Sequence, residues 1–156
     1  MSLEDRINRV EAELAIRNVI ARYGMAADCD DINAALTCHT EDAVYVVSNP
    51  NAGRGDDEAD LELKGHKAIS DMLSSEMHQS LLPDCAHTVG PLVVDVDGDA
   101  ASAFGYSRVY HDQKLMRLAI NHWTMRKEET WKISRRESRV MGEETAQDLL
   151  KKGIKG

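Results

Sequence analysis

The chain has 156 residues, 42% of them hydrophobic and 29% charged, which is typical of one soluble globular domain spanning residues 1–156. Its 27 acidic and 19 basic residues give a formal net charge of −8, which argues against nucleic acid or an anionic membrane as a partner. Three cysteines without CxxC spacing argue against a disulfide scaffold and a zinc site. The charged N-terminus and the shortness of the apolar runs predict a cytoplasmic protein.

The first predicted element is a long helix over about residues 3–28, with Ser2 as its N-cap and acidic residues in its first turn. Apolar residues recur along it at separations of three, four or seven. This spacing predicts one buried stripe, formed by Ile7, Val10, Leu14, Ala21 and Met25. Asp28 falls on the same stripe. Because an unpaired buried charge is costly, Asp28 is expected either to cap a helix end or to belong to a polar site inside an apolar pocket.

A short second helix is expected to follow, capped by Asp30 or Asp31. The β-branched and aromatic run 43–47 predicts a strand. Residues 48–60 are rich in Gly, Asn and Asp and predict a flexible loop or a lid. A second amphipathic pattern predicts a helix over about residues 64–79.

The rest of the chain is predicted to be mostly strand. Asp97-Gly98 is a strong hairpin signal, and short polar turns separate the predicted strands 89–96, 100–111, 115–125 and 130–140. The segment GEETAQDLLKKG predicts a short terminal helix. Helices followed by a long meander imply an α+β fold, in which N-terminal helices pack on one face of a curved antiparallel sheet. Such an arrangement leaves a cone-shaped cavity able to hold a small molecule.

His87 lies at the start of a predicted strand and is the best candidate partner for Asp28. A carboxylate that is hydrogen-bonded to one imidazole nitrogen fixes the tautomer and raises the basicity of the other nitrogen. Such a pair could abstract a proton from a carbon or oxygen acid near neutral pH. On spacing alone the alternative stays open, namely a satisfied structural histidine and a helix-end aspartate.

Three further residues are candidates for substrate binding, each with an alternative. Tyr23 lies a little over one helical turn before Asp28 and either points its hydroxyl at the cavity or packs in the core. His111 and His122 either line the cavity or sit as a strand-end and a sheet histidine, respectively. The remaining histidines are interpreted as surface or helix-end residues: His39, His66 and His78. The six histidines form no ligand cluster and no glycine-rich loop binds a cofactor, so neither metal nor cofactor is expected.

Four segments carry a resemblance to a known family: AIRNVIARYGMAADCDDINAALTCHTEDAVYVV, KGHKAISDML, CAHTVGPLVVDVDGDAASAFGY and ETWKISRR. Together they resemble a SnoaL-like domain of the nuclear transport factor 2-like superfamily, and most of all its scytalone dehydratase and hexachlorocyclohexane dehydrochlorinase branch. The resemblance covers nearly the whole chain. It implies that Asp28 and His87 form a base dyad, that Tyr45 belongs to the aromatic wall of a pocket, and that Arg135 or Arg136 faces that pocket.

The expected function is that of a cofactor-independent lyase or isomerase acting on a small, largely apolar cyclic or polyketide-like substrate. His87 would be the general base, oriented by Asp28. The alternative is a non-catalytic domain of the same fold, either a small-ligand binder or an assembly subunit like the small subunit of ring-hydroxylating dioxygenases. In both cases the outer face of the sheet is expected to support a homodimer or homotrimer.

Overall fold

The computed structural model describes residues 1–50 and 59–156, so most of the predicted lid lies outside the described residues. Five helices and six strands are assigned in this part of the chain: α1 (Leu3–Asp28), α2 (Ile32–Thr37), β1 (His39–Val47), β2 (Leu61–Lys64), α3 (Gly65–Leu73), α4 (Glu76–Gln79), β3 (Cys85–Asp97), β4 (Ala100–His111), β5 (Lys114–Lys127), β6 (Trp131–Val140) and α5 (Glu144–Lys155). None of these helices is long and apolar enough to cross a bilayer.

The strands form one sheet in the order β2-β1-β6-β5-β4-β3. Strands β3 to β6 make the predicted antiparallel meander. Strand β1 pairs in parallel with β6, so the sheet as a whole is mixed rather than antiparallel. The short edge strand β2, which sequence patterning did not indicate, pairs with β1. The sheet stays open between β2 and β3, and the α+β class is confirmed.

Helix α1 begins at a capping box, as its first residues predict. The backbone N–H of Asp5 donates to Ser2 Oγ at 3.0 Å, and the backbone N–H of Ser2 donates to Asp5 Oδ2 at 3.1 Å. Helix α2 is capped by Asp31, whose carboxylate accepts from the backbone N–H of Ala34 at 3.0 Å. Local side-chain hydrogen bonds therefore determine where both helices begin.

The predicted buried stripe of α1 is wrong. Ile7, Val10, Leu14 and Met25 are 49% to 67% exposed. The buried face comprises Ile16, Val19, Ile20, Tyr23, Gly24, Ala26 and Ala27. Apolar residues lie on several sides of this helix, so periodicity alone does not decide which side packs, and small residues form much of the true contact. Asp28 nevertheless lies four residues after Gly24 and continues the buried face.

Helix α1 packs on the inner face of the sheet, where the largest core side chains include Trp123, Met125 and Ile133. The predicted terminal helix, α5, covers the opposite face. Its Ala146 and Leu149 pack on Ile120, which points away from Trp123 because successive strand residues alternate between faces. The sheet is thus sandwiched between α1 and α5, and the cavity opens on the α1 side.

The predicted helix 64–79 is two helices. Helix α3 ends at Leu73, and α4 begins after Ser75, whose hydroxyl accepts from the backbone N–H of His78 at 3.2 Å. The new cap turns the second helix so that His78 is buried, whereas Met77 is exposed. This break brings a histidine to the cavity.

Candidate active site

A cavity of about 670 Å³ lies between α1, α3, α4 and the inner face of the sheet. Its lining is mostly apolar and includes Ile20, Ala27, Val47, Leu61, Leu63, Ala68, Met72, Leu73, Leu81, Val89, Val109 and Met116. The aromatic and cationic members of its wall are Tyr23, Tyr45, His78, His87, Arg108, Arg117 and Arg136. A mostly apolar cavity of this size with a few converging polar groups is suited to a small organic molecule.

The structure brings Asp28 and His87 together. The Nδ1 atom of His87 lies 2.5 Å from Asp28 Oδ1, and the backbone N–H of His87 donates to Asp28 Oδ2 at 2.8 Å. Both carboxylate oxygens are therefore engaged by one residue, which fixes the plane of the carboxylate. Because an ionised carboxylate only accepts hydrogen bonds, Nδ1 carries the proton and Nε2 of the neutral ring keeps its lone pair.

Cys85 lies beside this pair, with its Sγ atom 3.8 Å from His87 Nδ1. Burial raises the pKa of the Cys85 thiol to about 11, and the negative charge of Asp28 adds to the shift. The residue is therefore a neutral thiol near pH 7.

Asp28, Cys85 and His87 also form a group whose ligand atoms lie within 4.8 Å of one another, as a metal site would require. The chemistry of the group does not fit a metal. The 2.5 Å separation of Nδ1 and Oδ1 is that of a short hydrogen bond, whereas tetrahedral ligands about 2 Å from zinc stand more than about 3 Å apart.

His78 is a second histidine at the cavity, and its interpretation as a surface or helix-end residue is wrong as far as exposure is concerned. It is only 7% exposed. Its Nε2 atom lies 3.1 Å from the carbonyl oxygen of Ala27, and its ring centroid is 6.2 Å from that of His87. Donation from Nε2–H to the carbonyl leaves the lone pair on Nδ1 available. Ser75 is the sequence signal that could have predicted the burial of His78, because it caps the start of a separate helix.

His39 is likewise buried, so of its two predicted placements the surface is wrong, whereas the helix end is confirmed, since His39 directly follows the C-cap of α2. Its Nδ1 atom lies 2.8 Å from the carbonyl oxygen of Ala35, and its ring stands edge-on to Tyr23 with centroids 4.9 Å apart. Burial lowers the pKa of His39 to about 4. His39 is therefore uncharged near neutral pH and packs against Tyr23 from behind the cavity wall.

Tyr23 and Tyr45 both line the cavity, together with Arg136. The guanidinium carbon of Arg136 lies 4.8 Å from the Tyr45 ring centroid, 5.2 Å from that of Trp123 and 5.9 Å from that of Tyr23. Burial raises the pKa of Tyr23 above its ordinary value, so its hydroxyl stays protonated. The three rings form an aromatic cage around a cation.

A β-bulge decides which arginine faces the cavity. Thr124 pairs with Arg135 and Met125 with Ile133, so Ser134 is the extra residue on β6. The bulge shifts the alternation by one residue. As a result Arg136 is buried on the inner face, while Arg135 is exposed on the outer one. Arg135 is therefore wrong as a substrate-binding candidate.

His122 is also wrong as a substrate-binding candidate. It alternates with Trp123 and Asn121 and so faces α5 on the other side of the sheet. There its ring stacks on Phe104 at a centroid distance of 4.2 Å, and its Nε2 atom lies 3.2 Å from Ser102 Oγ. Burial lowers the pKa of His122. This residue belongs to the contact between the sheet and the terminal helix.

His111 is a strand-end histidine, as one of its two predicted alternatives had it, and is wrong only as a substrate-binding candidate. It is the last residue of β4 and pairs with Cys85 and Lys114. Val109 is the last β4 residue that lines the cavity, and two further strand residues advance the chain by about 6.6 Å. His111 thus lies beyond the cavity wall.

Two arginines of the wall had no distinct sequence signal. The guanidinium of Arg117 donates to the carbonyl oxygens of Ser48 at 2.9 Å and Asn49 at 3.2 Å, and to Ser138 Oγ at 3.1 Å. Burial lowers the pKa of Arg117. Arg108 donates to the carbonyl oxygen of Gly90 at 3.3 Å. Arg117 is therefore committed to protein oxygens, whereas Arg108 donates this one long hydrogen bond among the described residues.

Comparison with known proteins assigns the family. Residues 8–137 match the model of the SnoaL-like domain. A solved NTF2-like protein with a cystatin-like fold, from Novosphingobium aromaticivorans, is 34% identical, with 95% of this chain and 94% of that one covered and a TM-score of 0.80. The chain therefore belongs to the SnoaL-like family of NTF2-like proteins, which confirms the family resemblance drawn from its sequence.

More distant solved structures share the fold. A candidate scytalone dehydratase from Novosphingobium aromaticivorans is 18% identical, with 86% of each chain covered and a TM-score of 0.68. A candidate aromatic ring hydroxylase from the same organism is 24% identical, with 86% of this chain and 92% of that one covered and a TM-score of 0.65. No curated protein matches the sequence.

Proposed function

We propose that the cavity is the active site of a cofactor-independent lyase or isomerase. His87 takes a proton from a small, largely apolar cyclic or polyketide-like substrate, and Asp28 orients His87. The observation that carries this proposal is the hydrogen-bonded Asp28–His87 pair in the wall of an apolar cavity. A pre-oriented imidazole is an effective general base near neutral pH.

The base in this mechanism is Nε2 of His87, because Nδ1–H is held by Asp28. As Nε2 takes a proton from a carbon next to a carbonyl group, the C–H electron pair moves into the substrate and an enolate forms. The imidazolium that results is stabilised by the adjacent carboxylate. Return of the proton to another carbon completes an isomerisation. In an elimination the enolate electrons form a C=C bond, a leaving group departs from the β carbon with its bonding electrons, and His87 then gives its proton to the leaving group or to water.

His78 and Arg136 are the groups that would act on the oxygen atoms of the substrate. The free Nδ1 atom of His78 can accept a hydrogen bond from a substrate hydroxyl. Arg136 brings a positive charge into the same cavity and would stabilise the negative charge of the substrate and of its enolate. The apolar lining strengthens both interactions because it keeps water away from them.

The non-catalytic alternative has less support. A domain that only binds or assembles does not need a carboxylate whose two oxygens both hold one cavity-lining histidine. An enzyme that relies on a general base does. If variants of Asp28 and His87 change no reaction, the protein is a non-catalytic ligand-binding domain.

The test is proton exchange in deuterated water. Small enolisable cyclic ketones and hydroxyketones are incubated with the protein, and loss of the carbon-bound proton or of water is followed by proton NMR. We expect Asp28→Asn and His87→Gln each to slow the reaction by at least about a hundredfold, because general-base catalysis contributes roughly 10²–10⁴-fold. His122→Gln, on the outer face, is the matched control and should leave the rate unchanged. Equal rates in the wild type and both dyad variants would refute the proposal.

A further inference from the structure

Among the described residues, the wall of the cavity carries an excess of positive charge. Arg108, Arg117 and Arg136 all line it. The acidic residue of the described lining is Asp71, which is exposed and accepts a hydrogen bond from Lys67 at 2.7 Å. Asp28 is nearby but is used by His87. A ligand that carries negative charge would therefore be favoured over a neutral one of the same shape.

Arg136 is the buried cation whose two terminal nitrogens have no oxygen partner among the described residues. It is only 6% exposed, and its Nε–H donates to Asn121 Oδ1 at 2.9 Å. Within residues 1–50 and 59–156, no carboxylate lies within 4.0 Å of its guanidinium, and neither terminal nitrogen forms a hydrogen bond. Arg117 differs, because both of its terminal nitrogens donate to protein oxygens.

A buried guanidinium needs compensation for the water it has lost. The rings of Tyr23, Tyr45 and Trp123 supply part of it through their faces. They do not accept the N–H protons of the two terminal nitrogens. These two nitrogens form a planar fork that matches the two oxygens of a carboxylate.

The surroundings favour a carboxylate over a phosphate. A phosphate group has three outer oxygens and is usually held by several backbone N–H groups or a helix N-terminus. The wall around Arg136 consists of aromatic rings, and the rest of the cavity is mainly aliphatic. One planar fork in an apolar cavity of about 670 Å³ fits a monocarboxylate attached to a ring system.

We propose that Arg136 binds the carboxylate of a small cyclic acid, and that the ring of this acid lies along the apolar wall toward His87. This inference rests on the proposed function for the reaction that follows binding, but the binding itself does not require catalysis. It assigns a substrate class to the cavity, namely a cyclic carboxylic acid with an acidic C–H bond within reach of the histidine.

The test compares acids with their neutral amides. Binding of benzoate, cyclohexanecarboxylate and naphthoate is measured by ligand-observed NMR and calorimetry beside benzamide, cyclohexanecarboxamide and naphthamide. We expect at least one acid to bind at least about tenfold more tightly than its amide, because a charge-assisted bidentate pair replaces a neutral contact. Equal affinities for acid and amide in all three pairs, or no binding of any acid at millimolar concentration, would overturn the proposal.

Two arginine variants locate the subsite. Arg136→Gln should abolish the preference for the acid, whereas Arg135→Gln removes the same charge one residue away on the outer face and should preserve it. Arg136→Lys keeps the charge without the fork and should retain only part of the preference. Heteronuclear NMR spectra establish that each variant is folded. A preference that survives in folded Arg136→Gln would also overturn the proposal.

A dyad variant separates this inference from the proposed reaction. Asp28→Asn should bind the acid with unchanged preference, since it alters neither Arg136 nor its cage. Acid binding without any dyad-dependent reaction would sustain the carboxylate subsite and refute the base mechanism. A dyad-dependent reaction on neutral ketones without any preference for acids would do the opposite.

Discussion

Gly24 lies directly against the backbone of His87. A Cβ atom added at Gly24 would stand 2.7 Å from the His87 carbonyl oxygen and 3.2 Å from its Cβ atom. Helix α1 and strand β3 therefore touch backbone to backbone, one helical turn before Asp28. This close approach places the carboxylate within hydrogen-bonding distance of the histidine.

Gly24→Ala should separate the helix from the strand. We expect it to lower the free energy of unfolding by about 1–3 kcal/mol, since overpacking outweighs the gain of about 1 kcal/mol from the better helix former. Denaturant unfolding measures the change. Gly153→Ala in α5 is the control. Its Cβ would lie 3.1 Å from Phe104 Cβ on the other face of the sheet, a tight contact but not the 2.7 Å overlap of Gly24, so the loss of stability should be smaller. A Gly24→Ala protein as stable as the wild type would show that the contact is looser than described.

Alkylation of Cys85 reports the charge of Asp28. Burial and the nearby carboxylate raise the pKa of the Cys85 thiol to about 11, so only a small fraction is thiolate at pH 8. Asp28→Asn removes the electrostatic part of this shift and should raise the rate of reaction with iodoacetamide several-fold. Site-resolved mass spectrometry measures the rate. Cys38, buried elsewhere, is the internal control, and an unchanged Cys85 rate would mean that Asp28 is not ionised beside it.

Stability should fall as the pH drops toward 4, in part because of His39. Burial lowers the pKa of His39 to about 4 from an ordinary value of 6.5, so the unfolded chain takes up this proton first. Above about pH 6.5 His39 is neutral in both states and costs the folded protein no stability. Between about pH 6.5 and pH 4 the free energy of unfolding falls progressively, by about 3 kcal/mol in total at most. Comparing urea unfolding of the wild type and His39→Gln at several pH values isolates this effect, because the carboxylates are common to both. Parallel pH curves would contradict this assignment.

Asn121→Asp should place a negative charge beside Arg136 and neutralise its positive charge. The amide of Asn121 accepts from Arg136 Nε–H at 2.9 Å and donates to Ser107 Oγ at 2.8 Å. A carboxylate at this position would pair with Arg136 and compete with an acidic ligand, so the acid-over-amide preference should fall by about tenfold. Thr124→Asp, on the outer face of β5, adds the same charge elsewhere and is the control. Ligand affinity that is unaffected by Asn121→Asp would place the anion subsite away from Arg136.

Local sequence rules predicted most of the elements, because caps, turn residues and alternation act over a few residues. Ser2, Asp31 and the Asp97-Gly98 turn are examples, and the meander followed from its short connections. The parallel pairing of β1 with β6 has no local signature, since it joins segments separated by most of the chain. The short β2 strand depends on the same long-range pairing.

The contact between Asp28 and His87 was predictable because residue type and family position agreed at both positions. The sequence-based predictions failed where they depended on which face of a strand or helix carries a residue. The bulge at Ser134 reversed the alternation that separates Arg135 from Arg136. His78 was missed because its burial depends on a break between two helices that an amphipathic pattern does not mark.

We expect Asp28 to hold the His87 proton on Nδ1 and to leave Nε2 free to act as a base. Nitrogen-15 NMR of the imidazole reports which nitrogen carries the proton. At neutral pH we predict a protonated Nδ1 and an unprotonated Nε2 in the wild type. In Asp28→Asn the amide can donate to Nδ1, so the proton should move to Nε2. A His87 ring that carries its proton on Nε2 in the wild type, or whose tautomer is the same in both proteins, would contradict the account.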